Sequence, residues 1–441
     1  MAAERGGGSK RRKAPARKKQ PARRSLLRYL LGMLALPLIL ATAIGVLVLD
    51  NQVKARFSGA KWALPTHVYS RPLELYAGLN LPRAALLEEL DELGYRRVAR
   101  LEHPGQFAVT ANGIELHARA FRFPEGEQPE QRVRLRLSGS GIVAIQDAGG
   151  KSLPLLRLEP VRIGGIYPEH AEDRVLLRLE ELPPYLADAV IAVEDRDFYS
   201  HHGVSPRAIL RALWANVRAG GIAQGGSTIT QQLVKNFYLD RSQTLLRKAM
   251  EAVMAMLLEL HYSKAEILEA YLNEIHLGQE GNRAIHGFGM ASEFYFRQPL
   301  AELDLHQVAL LVGLAKGSSY YNPRRHPERA LARRNLVLAT LAGEQIVAAA
   351  EAEAAIRKPL DVTKTPGAVN RYPDFLDLVR RHLQRDYAAR DLTAEGLRVF
   401  THLDPRVQHR VENGIAEVLK RIETDRKLAA GTFQAAAVVV R

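Results

Sequence analysis

The spacing of hydrophobic positions changes several times along this chain of 441 residues, and each change predicts a different kind of element. The first apolar run, YLLGMLALPLILATAIGVLVL, covers Tyr29–Leu49 and contains 21 residues without a charge. At ~1.5 Å per residue, a helix of this length crosses roughly 30 Å of hydrocarbon. The pattern predicts a single transmembrane helix at residues 29–49, which is longer than the apolar core of a cleavable secretory signal.

Residues 64–158 have a mixed pattern that predicts a small α/β domain. Asn80 is placed to cap a helix whose leucine stripe ends at Gly94. Apolar residues then alternate with arginines over residues 132–137, which predicts a half-buried strand, and Ile142–Ile145 follows as its hairpin partner. No cluster of chemically reactive residues occurs here, so the pattern indicates a binding or spacer module.

Helical spacing dominates residues 160–345, which are predicted to form one helical domain. One predicted helix begins after Pro183-Pro184 and ends near Glu194, and a longer one covers residues 245–260. Ser263 and Glu266 have the spacing of a capping box, which predicts the start of a helix that continues to Ile275. A further apolar helix is predicted at residues 305–314.

The pattern is less regular after residue 345. An Ala-rich stretch and a loose segment precede predicted elements at Tyr372–Leu383 and after Asp404-Pro405. The final apolar run, Ala435–Val440, has the composition of a buried strand. Because a strand needs neighbours, residues 346–441 are predicted to be a linker and the truncated start of another α/β domain.

The charge of the chain is concentrated at its N-terminus. The formal net charge is +14, and residues 1–28 hold eleven Lys or Arg against a single acid, Glu4, which leaves about +4 for the remainder. A nucleic-acid-binding arm would account for these charges but not for the adjoining apolar run, so no nucleic-acid partner is expected. The positive-inside rule predicts a cytoplasmic tail at residues 1–28 and places residues 50–441 across the membrane.

Cysteine is absent, so catalysis must use oxygen or nitrogen acids and bases. The first candidate cluster runs from Glu194 to Gly203, where carboxylates and histidines follow an apolar helix. A carboxylate at such a helix end is partly desolvated, which raises its pKa and makes it a better base. Solvated acids at a helix C-terminus are one alternative. A metal site is another, but its spacing fits no standard zinc pattern; its ligands would be Glu194, Asp195, His201 and His202.

The second candidate cluster, residues 224–235, leads from a glycine pair into a helix. Thr228, Gln232 and Lys235 share one polar face. Free amides at the helix start, together with the lysine, would form a cradle for a diphosphate. The cluster lacks the ending of a nucleotide-binding P-loop. A capped surface helix is the alternative interpretation.

The third candidate cluster places Arg247 and Lys248 one helical turn before Glu251 in an otherwise apolar helix. Taken alone, it is equally typical of a surface ion pair. Transfer of a sugar from a diphosphate needs a base for the acceptor hydroxyl and cations for the departing charge. The three clusters together supply both.

In this order, the motifs around Glu194, Thr228 and Glu251 resemble those of the glycosyltransferase domain, family 51, of class A penicillin-binding proteins. The stretch Glu266–Asn273 is similar to the fourth motif of that family, and residues 316–335 are similar to its fifth. The resemblance covers residues 160–345. The module at residues 64–158 is similar in position and size to the extra domain of the 1B type, which docks an outer-membrane lipoprotein activator.

The resemblance implies roles for individual residues. Glu194 corresponds to the catalytic base, which takes the proton from the 4-hydroxyl of a lipid II acceptor, and Glu251 corresponds to the second essential glutamate. The acceptor oxygen then attacks the donor chain with inversion, and undecaprenyl diphosphate is released. The residues implied to contact the diphosphates are Lys235, Arg247 and Lys248. Those implied to line the same cleft are Asp195, Phe198, His201, Thr228 and Gln232.

The resemblance also sets expectations for the whole chain. The expected fold is multi-domain, with a single N-terminal transmembrane helix, a small α/β domain, a mainly α, lysozyme-like glycosyltransferase domain and a partial C-terminal α/β domain. The expected location is the inner membrane, with the catalytic domain in the periplasm. The expected partners are lipid II, the growing glycan chain, the lipoprotein activator and proteins of cell division or elongation.

The sequence requires no cofactor, although a divalent cation is compatible with it. Full-length relatives carry a transpeptidase domain, and residues 346–441 resemble only a linker and the truncated start of that domain, from about Tyr372. Its motifs do not occur after residue 345, so no crosslinking activity is expected of this chain. Two other functions stay open at this point. One is a lysozyme-like lytic enzyme that cuts the same glycan, and the other is an inactive scaffold that binds partners through residues 64–158.

Overall fold

The structure is a computed structural model. The residues that it describes are 22–61, 66–139, 141–166, 175–219, 225–238, 244–281, 283–364, 372–388, 391–392 and 396–439. The predicted cytoplasmic tail therefore lies outside the described residues as far as residue 21. The chain divides after Val53 into two compact units, and the second unit, from Lys54 onward, contains the sheets and the helical domain.

The first long helix, α1, is Ala22–Lys61 and includes Pro37. Residues 29–36, the first part of the predicted membrane span, have side chains outside the described part of the structure. Among the residues that are described, no helix is long and apolar enough to cross a membrane. The predicted span at residues 29–49 therefore stays a prediction.

A five-stranded sheet with one covering helix forms the small domain. The sheet has the order β3-β4-β5-β8-β9. Its core is the apolar face of the sheet packed against helix α2, with Leu86, Leu90, Leu116 and Ile145 fully buried. The bounds are α2 Arg83–Glu92, β3 Arg96–Arg97, β4 Gln106–Thr110, β5 Gly113–Ala118, β8 Gln131–Ser138 and β9 Gly141–Asp147.

The predicted hairpin is confirmed, because β8 pairs antiparallel with β9 and Leu135 lies opposite Ile145. The predicted cap of α2 is wrong. Pro82, not Asn80, occupies the N-cap position and makes no side-chain capping bond. The chain just before it is held by the sheet, since the amide of Ile142 donates to the carbonyl of Leu79. The helix can begin only after this contact and after the fixed φ of Pro82.

Two further two-stranded sheets belong to the same region of the chain. Strand β2, Leu73–Leu75, pairs with β10, Leu156–Leu158, and brings the two ends of the small domain together. Strands β6, Phe121–Phe123, and β7, Gly126–Gln128, form a hairpin.

A three-stranded sheet joins distant parts of the chain. Strand β1, Thr66–Tyr69, lies between antiparallel β11, Arg162–Ile166, and parallel β14, Arg398–Phe400. Helix α12, Pro373–Asp386, packs on this sheet, and helix α13, Pro405–Asp425, follows β14. The new elements predicted near residues 372 and 405 are thus confirmed as helices.

The strand predicted at Ala435–Val440 is wrong over its described part. Residues 432–439 have no regular structure, and the side chains of Val438 and Val439 are exposed. They pair with no strand among the residues that the structure describes. Apolar composition alone does not form a strand, because its backbone N–H and C=O groups need a neighbouring strand as hydrogen-bond partner.

The helical domain is built around α9, Leu305–Ala315, most of which is buried. Helices α3, α10 and α11 pack against α9, whereas α5 packs against α6 and α7. A β-hairpin that the sequence did not predict, β12–β13, also contacts α9. The remaining bounds are α3 Leu186–Glu194, α4 Pro206–Ala219, α5 Ile229–Tyr238, α6 Leu245–His261, α7 Lys264–Glu274, β12 His276–Glu280, β13 Arg283–His286, α8 Phe288–Phe296, α10 Pro327–Gly343 and α11 Ala349–Arg357.

The helices predicted near Glu194, at 245–260, after Ser263 and at 305–314 are confirmed to within about two residues. The capping box is also confirmed. The amide of Ser263 donates to Glu266 at 2.8 Å, and the Glu266 amide donates back to the Ser263 hydroxyl at 3.3 Å.

Candidate active site

Glu194 is the last residue of α3, and its carboxylate is held by a side chain of another helix. The amide nitrogen of Gln232, on α5, donates to Glu194 Oε2 at 3.0 Å. Gln232 is itself fixed from behind, because the hydroxyl of Tyr271 on α7 donates to its amide oxygen at 3.2 Å. Tyr271 is fully buried. Three helices therefore determine where this carboxylate points.

Burial raises the pKa of Glu194 above its ordinary value, as the sequence predicted for a carboxylate at an apolar helix end. The hydrogen bond from Gln232 and the positive charges of Arg333 and Lys316 act in the opposite direction, while the negative charge of Asp195 adds to the effect of burial. A base with a raised pKa that still ionises is well matched to proton abstraction near neutral pH.

Asp195, the next residue in the chain, uses its carboxylate for hydrogen bonds inside the domain. Its Oδ2 lies 2.9 Å from His201 Nε2 and accepts a hydrogen bond from the amide of Ile229, also at 2.9 Å. Because Ile229 is the first residue of α5, Asp195 caps the helix that carries Gln232. Phe198 is fully buried beside these residues, 4.5 Å below the ammonium group of Lys264.

Thr228 is also buried, and its hydroxyl is already used. The hydroxyl donates to the carbonyl of Gly203 at 2.6 Å and accepts from the amide of Gln231 at 3.1 Å. The turn at Gly203 packs tightly, with a φ of +85° and no room for a Cβ against Ala255. Thr228 thus stabilises the start of α5, although the resemblance implied that it lines the cleft.

The predicted cradle of free amides at the start of α5 is wrong for three of its amides. The amide of Thr228 donates to the side chain of Gln231. Those of Ile229 and Gln231 donate to Asp195 and Thr228, respectively. These amides are occupied because the buried helix start must satisfy its own donors. These three amides are therefore not available to an anion at this end of the helix.

Glu251 lies inside the domain, on α6, with a side chain only 2% exposed. Its carboxylate contacts the ammonium group of Lys248 and lies 3.5 Å from Arg247. Lys248 also donates to the hydroxyl of Ser227 at 2.9 Å, which ties α6 to the segment before α5. The alternative of a surface ion pair is therefore wrong for the carboxylate, although half of the Lys248 side chain is exposed.

Lys235 lies on α5, one turn beyond Gln232, and its side chain is exposed. It makes no hydrogen bond or ion pair within the described ranges. Lys235 on α5 and the Arg247-Lys248 pair on α6 therefore place cations on two helices that pack against each other.

The alternative of a metal site gains no support. His202 is exposed, and the described residues contain no group of three or more potential ligands placed to hold a metal ion.

Several residues of the site received no role from the sequence. Lys316 and Arg333 lie in the stretch that resembles the fifth motif, and Tyr271 in the fourth, but only the tertiary structure brings their charges or hydroxyl to Glu194 and its partner. They are separated from Glu194 by more than 70 residues, so no local spacing could have revealed the contact. Their occurrence inside motif-like stretches was the available signal.

Large apolar side chains are exposed on two helices of this domain. On α4, Leu210, Trp214 and Val217 are each at least 65% exposed, and on α6, Leu246 and Leu260 are more than 70% exposed. Soluble proteins rarely leave such a set of large apolar side chains in water, which indicates a contact with a lipid surface or another protein.

Comparisons with known proteins agree with this organisation. The family described as Transglycosylase matches residues 161–342, and the bifunctional transglycosylase second domain matches residues 75–158. The chain is 46% identical over 393 residues to penicillin-binding protein 1B of Vibrio cholerae, covering 89% of this chain and 50% of that protein. It is 38% identical over 410 residues to penicillin-binding protein 1B of Escherichia coli, covering 92% and 48%. The chain spans about half the length of these relatives.

Proposed function

We propose that this chain, whose residues 161–342 belong to the transglycosylase family, is a peptidoglycan glycosyltransferase that polymerises lipid II into glycan strands. The observation that carries the proposal is the setting of Glu194. It is a carboxylate with a raised pKa, oriented by Gln232, with the positive charges of Lys316 and Arg333 close enough to act on it.

In the proposed reaction, Glu194 accepts the proton of the 4-hydroxyl of the acceptor lipid II. The freed oxygen attacks the anomeric carbon of the donor chain's muramyl sugar, and the bond from that carbon to the diphosphate oxygen breaks. The configuration inverts, and undecaprenyl diphosphate leaves. The base contributes a factor of about 10² to 10⁴ to such a step by removing the proton as the new bond forms.

The diphosphate that leaves carries the negative charge of the broken bond. Lys235, Arg247 and Lys248 are the cations assigned to it, and buried Glu251 holds the last two in place through its ion pairs. The proposal assigns this work to side chains because three amides at the start of α5 are already bonded within the domain.

The substrate is attached to a lipid, so the site must work at a membrane surface. The exposed apolar side chains of α4 and α6 suit insertion among lipid chains. We assign the chain to the inner membrane, with a single N-terminal span at residues 29–49 and the catalytic domain in the periplasm. We assign residues 75–158 to the docking of an outer-membrane lipoprotein activator, by resemblance of that domain to the 1B type.

A lytic enzyme that cuts finished glycan is the main rival. Cleavage of neutral glycan releases no diphosphate, so the cations of α5 and α6 would have no shared purpose. Glycoside hydrolysis also uses two carboxylates that flank the bond to be cut, one as the general acid and the other as the base or nucleophile. Glu251 is already paired with two cations and does not fit that role.

The test is incubation of the purified protein, in detergent or liposomes, with fluorescent lipid II and, separately, with pre-made glycan strands. We expect lipid II to be converted to long polymer and the strands to keep their length. Shortened strands without polymer would overturn the proposal in favour of a lytic enzyme. No change to either substrate would favour a scaffold.

A further inference from the structure

A buried cluster of charges lies behind the candidate active site and includes residues to which neither the sequence nor the proposed reaction gives a role. Its centre is Glu259, in the last turn of α6, with a side chain 3% exposed. The carboxylate accepts hydrogen bonds from the hydroxyl of Thr230 at 2.5 Å and from the ammonium group of Lys264 at 2.8 Å. A carboxylate is buried at this depth only with such compensation.

The imidazole of His201 lies between this carboxylate and that of Asp195. Its Nε2 is 2.9 Å from Asp195, and its Nδ1 is 3.9 Å from Glu259 Oε1. Nδ1 is buried and has no hydrogen-bond partner in the part of the chain that is described. The 3.9 Å separation is too long for a hydrogen bond, so the close contact of this ring is with Asp195.

The cluster connects every element that positions Glu194. Asp195 directly follows Glu194 and caps α5. Thr230 lies in the first turn of α5, the helix that carries Gln232. Lys264 is the first residue of α7, which carries the tyrosine behind Gln232, so its bond to Glu259 joins the end of α6 to the start of α7.

From this arrangement we propose that Glu259 and Lys264 are positioning residues for the catalytic base. Glu259 fixes the starts of α5 and α7 relative to each other through its hydrogen bonds with Thr230 and Lys264. The two helices then present Gln232 and Tyr271 so that the carboxylate of Glu194 keeps one orientation. The inference rests on the proposed function, because it assigns these residues to the same reaction. Among the residues that the structure describes, neither makes a hydrogen bond or ion pair with Glu194.

Glu259→Gln is the direct test, because it keeps the size of the side chain and removes its charge. We expect kcat for lipid II polymerisation to fall by ~10- to 100-fold, the cost typical of a catalytic group displaced by about 1 Å. We expect KM for lipid II to stay within about twofold, since the cations assigned to the substrate are untouched. Lys264→Met should act in the same direction, and Lys264→Arg, which keeps the charge, should restore most of kcat.

A loss of general stability would also reduce activity, so the variants need a matched control. Glu302 belongs to the same domain, has a side chain that is 12% exposed and pairs with Arg119. Among the described residues it makes no hydrogen bond or ion pair to the cluster. Glu302→Gln should lower the melting temperature as Glu259→Gln does but leave kcat near the wild-type value at a temperature where both are folded.

Three outcomes are decisive. If wild-type protein polymerises lipid II and Glu259→Gln lowers kcat alone, the positioning role holds. If wild type is active and Glu259→Gln matches Glu302→Gln in kcat, or changes KM in place of kcat, the positioning role is overturned while the proposed function stands. If wild type produces no polymer, the proposed function itself fails, and this role fails with it.

Discussion

Two carboxylates of the helical domain, partly buried Glu194 and buried Glu251, have opposite surroundings. Glu194 ends a helix, accepts a hydrogen bond from a neutral amide and has a raised pKa because burial outweighs the nearby charges. Glu251 lies within a helix and is paired with two cations, Lys248 and Arg247. The two glutamates therefore differ in their partners, because Glu194 has no direct ion pair among the described residues and Glu251 has two.

The contrast indicates a division of labour that two glutamates in a motif could not reveal. Glu194 is suited to proton transfer, which needs a pKa near the working pH. Glu251 is suited to holding positive charge in place. The environment, not the residue type, makes this assignment, and each of the following predictions tests one side of it.

The largest effect is expected for Glu194→Gln. The amide keeps the shape of the side chain but cannot accept the proton of the acceptor hydroxyl, so polymerisation of lipid II should fall by about 10² to 10⁴-fold. Substrate affinity should change little. Gel analysis of fluorescent lipid II, with circular dichroism to confirm the fold, measures both. Retention of more than a tenth of the activity would remove Glu194 from the role of base.

Glu251→Gln should cost both activity and stability. Without the anion, Lys248 and Arg247 lose their fixed positions, and we expect kcat to fall roughly 100-fold, as for other misplaced groups. The buried amide also loses its ion pairs, which should lower the free energy of unfolding by about 1–3 kcal/mol. Denaturant titration checks the second value.

The matched control for this variant is Asp377→Asn. Asp377 forms an ion pair with Arg381 at the same i,i+4 spacing, but both side chains are more than half exposed. Such pairs contribute under about 1 kcal/mol, so neither stability nor activity should change measurably. Equal stability losses in the two variants would mean that burial does not distinguish Glu251 from a surface pair.

A smaller effect is expected for Lys235→Ala, on the binding side of the comparison. This exposed lysine makes no bond within the described chain, so its loss should leave stability unchanged. If it contacts the donor diphosphate, KM for lipid II should rise roughly tenfold, the cost of one charge-assisted hydrogen bond. Asn236→Ala, exposed on the same helix, is the control. An unchanged response to lipid II concentration would contradict the diphosphate role.

The smallest effect concerns stability and pH. Because burial raises the pKa of Glu194, the folded protein binds this proton more tightly than the unfolded chain does. The stabilisation from the protonated form is complete below the pKa of free glutamate, ~4.3, and is lost as pH rises through the folded pKa.

At neutral pH, Glu194→Gln should therefore raise the melting temperature slightly, and the difference from wild type should shrink as the pH is lowered. Thermal melts at several pH values measure it. A lower melting temperature for the variant at neutral pH would show that the ionised carboxylate of Glu194 stabilises the fold. That result would contradict the effect expected from its raised pKa.

Local patterns were sufficient for much of the fold. The hairpin of β8 and β9, the capping box at Ser263 and the helices that end at Glu194 or begin near Leu245 follow from periodicity and capping within a few residues. The predictions of local structure were wrong where contact with a distant part of the chain determines the conformation. Strand β9 holds the chain before α2 and moves its cap away from Asn80, and residues 435–439 pair with no strand in the described part of the chain.

The candidate site divides in the same way. By itself, the sequence determined which residue types are available: a carboxylate at an apolar helix end, a polar helix face and a cation pair one turn before a second carboxylate. These depend on spacings of a few residues, which helix geometry converts directly into shared faces.

Only the tertiary structure decided what each group does. It buried Glu251 with its cations, occupied the amides at the start of α5, and brought Lys316, Arg333 and Tyr271 from more than 70 residues away to Glu194 and its partner. Burial and charge separation set pKa values and hydrogen bonding, and both are properties of the packed domain. The sequence therefore supplied the reactive groups, and the packing of the domain brought them together as a site.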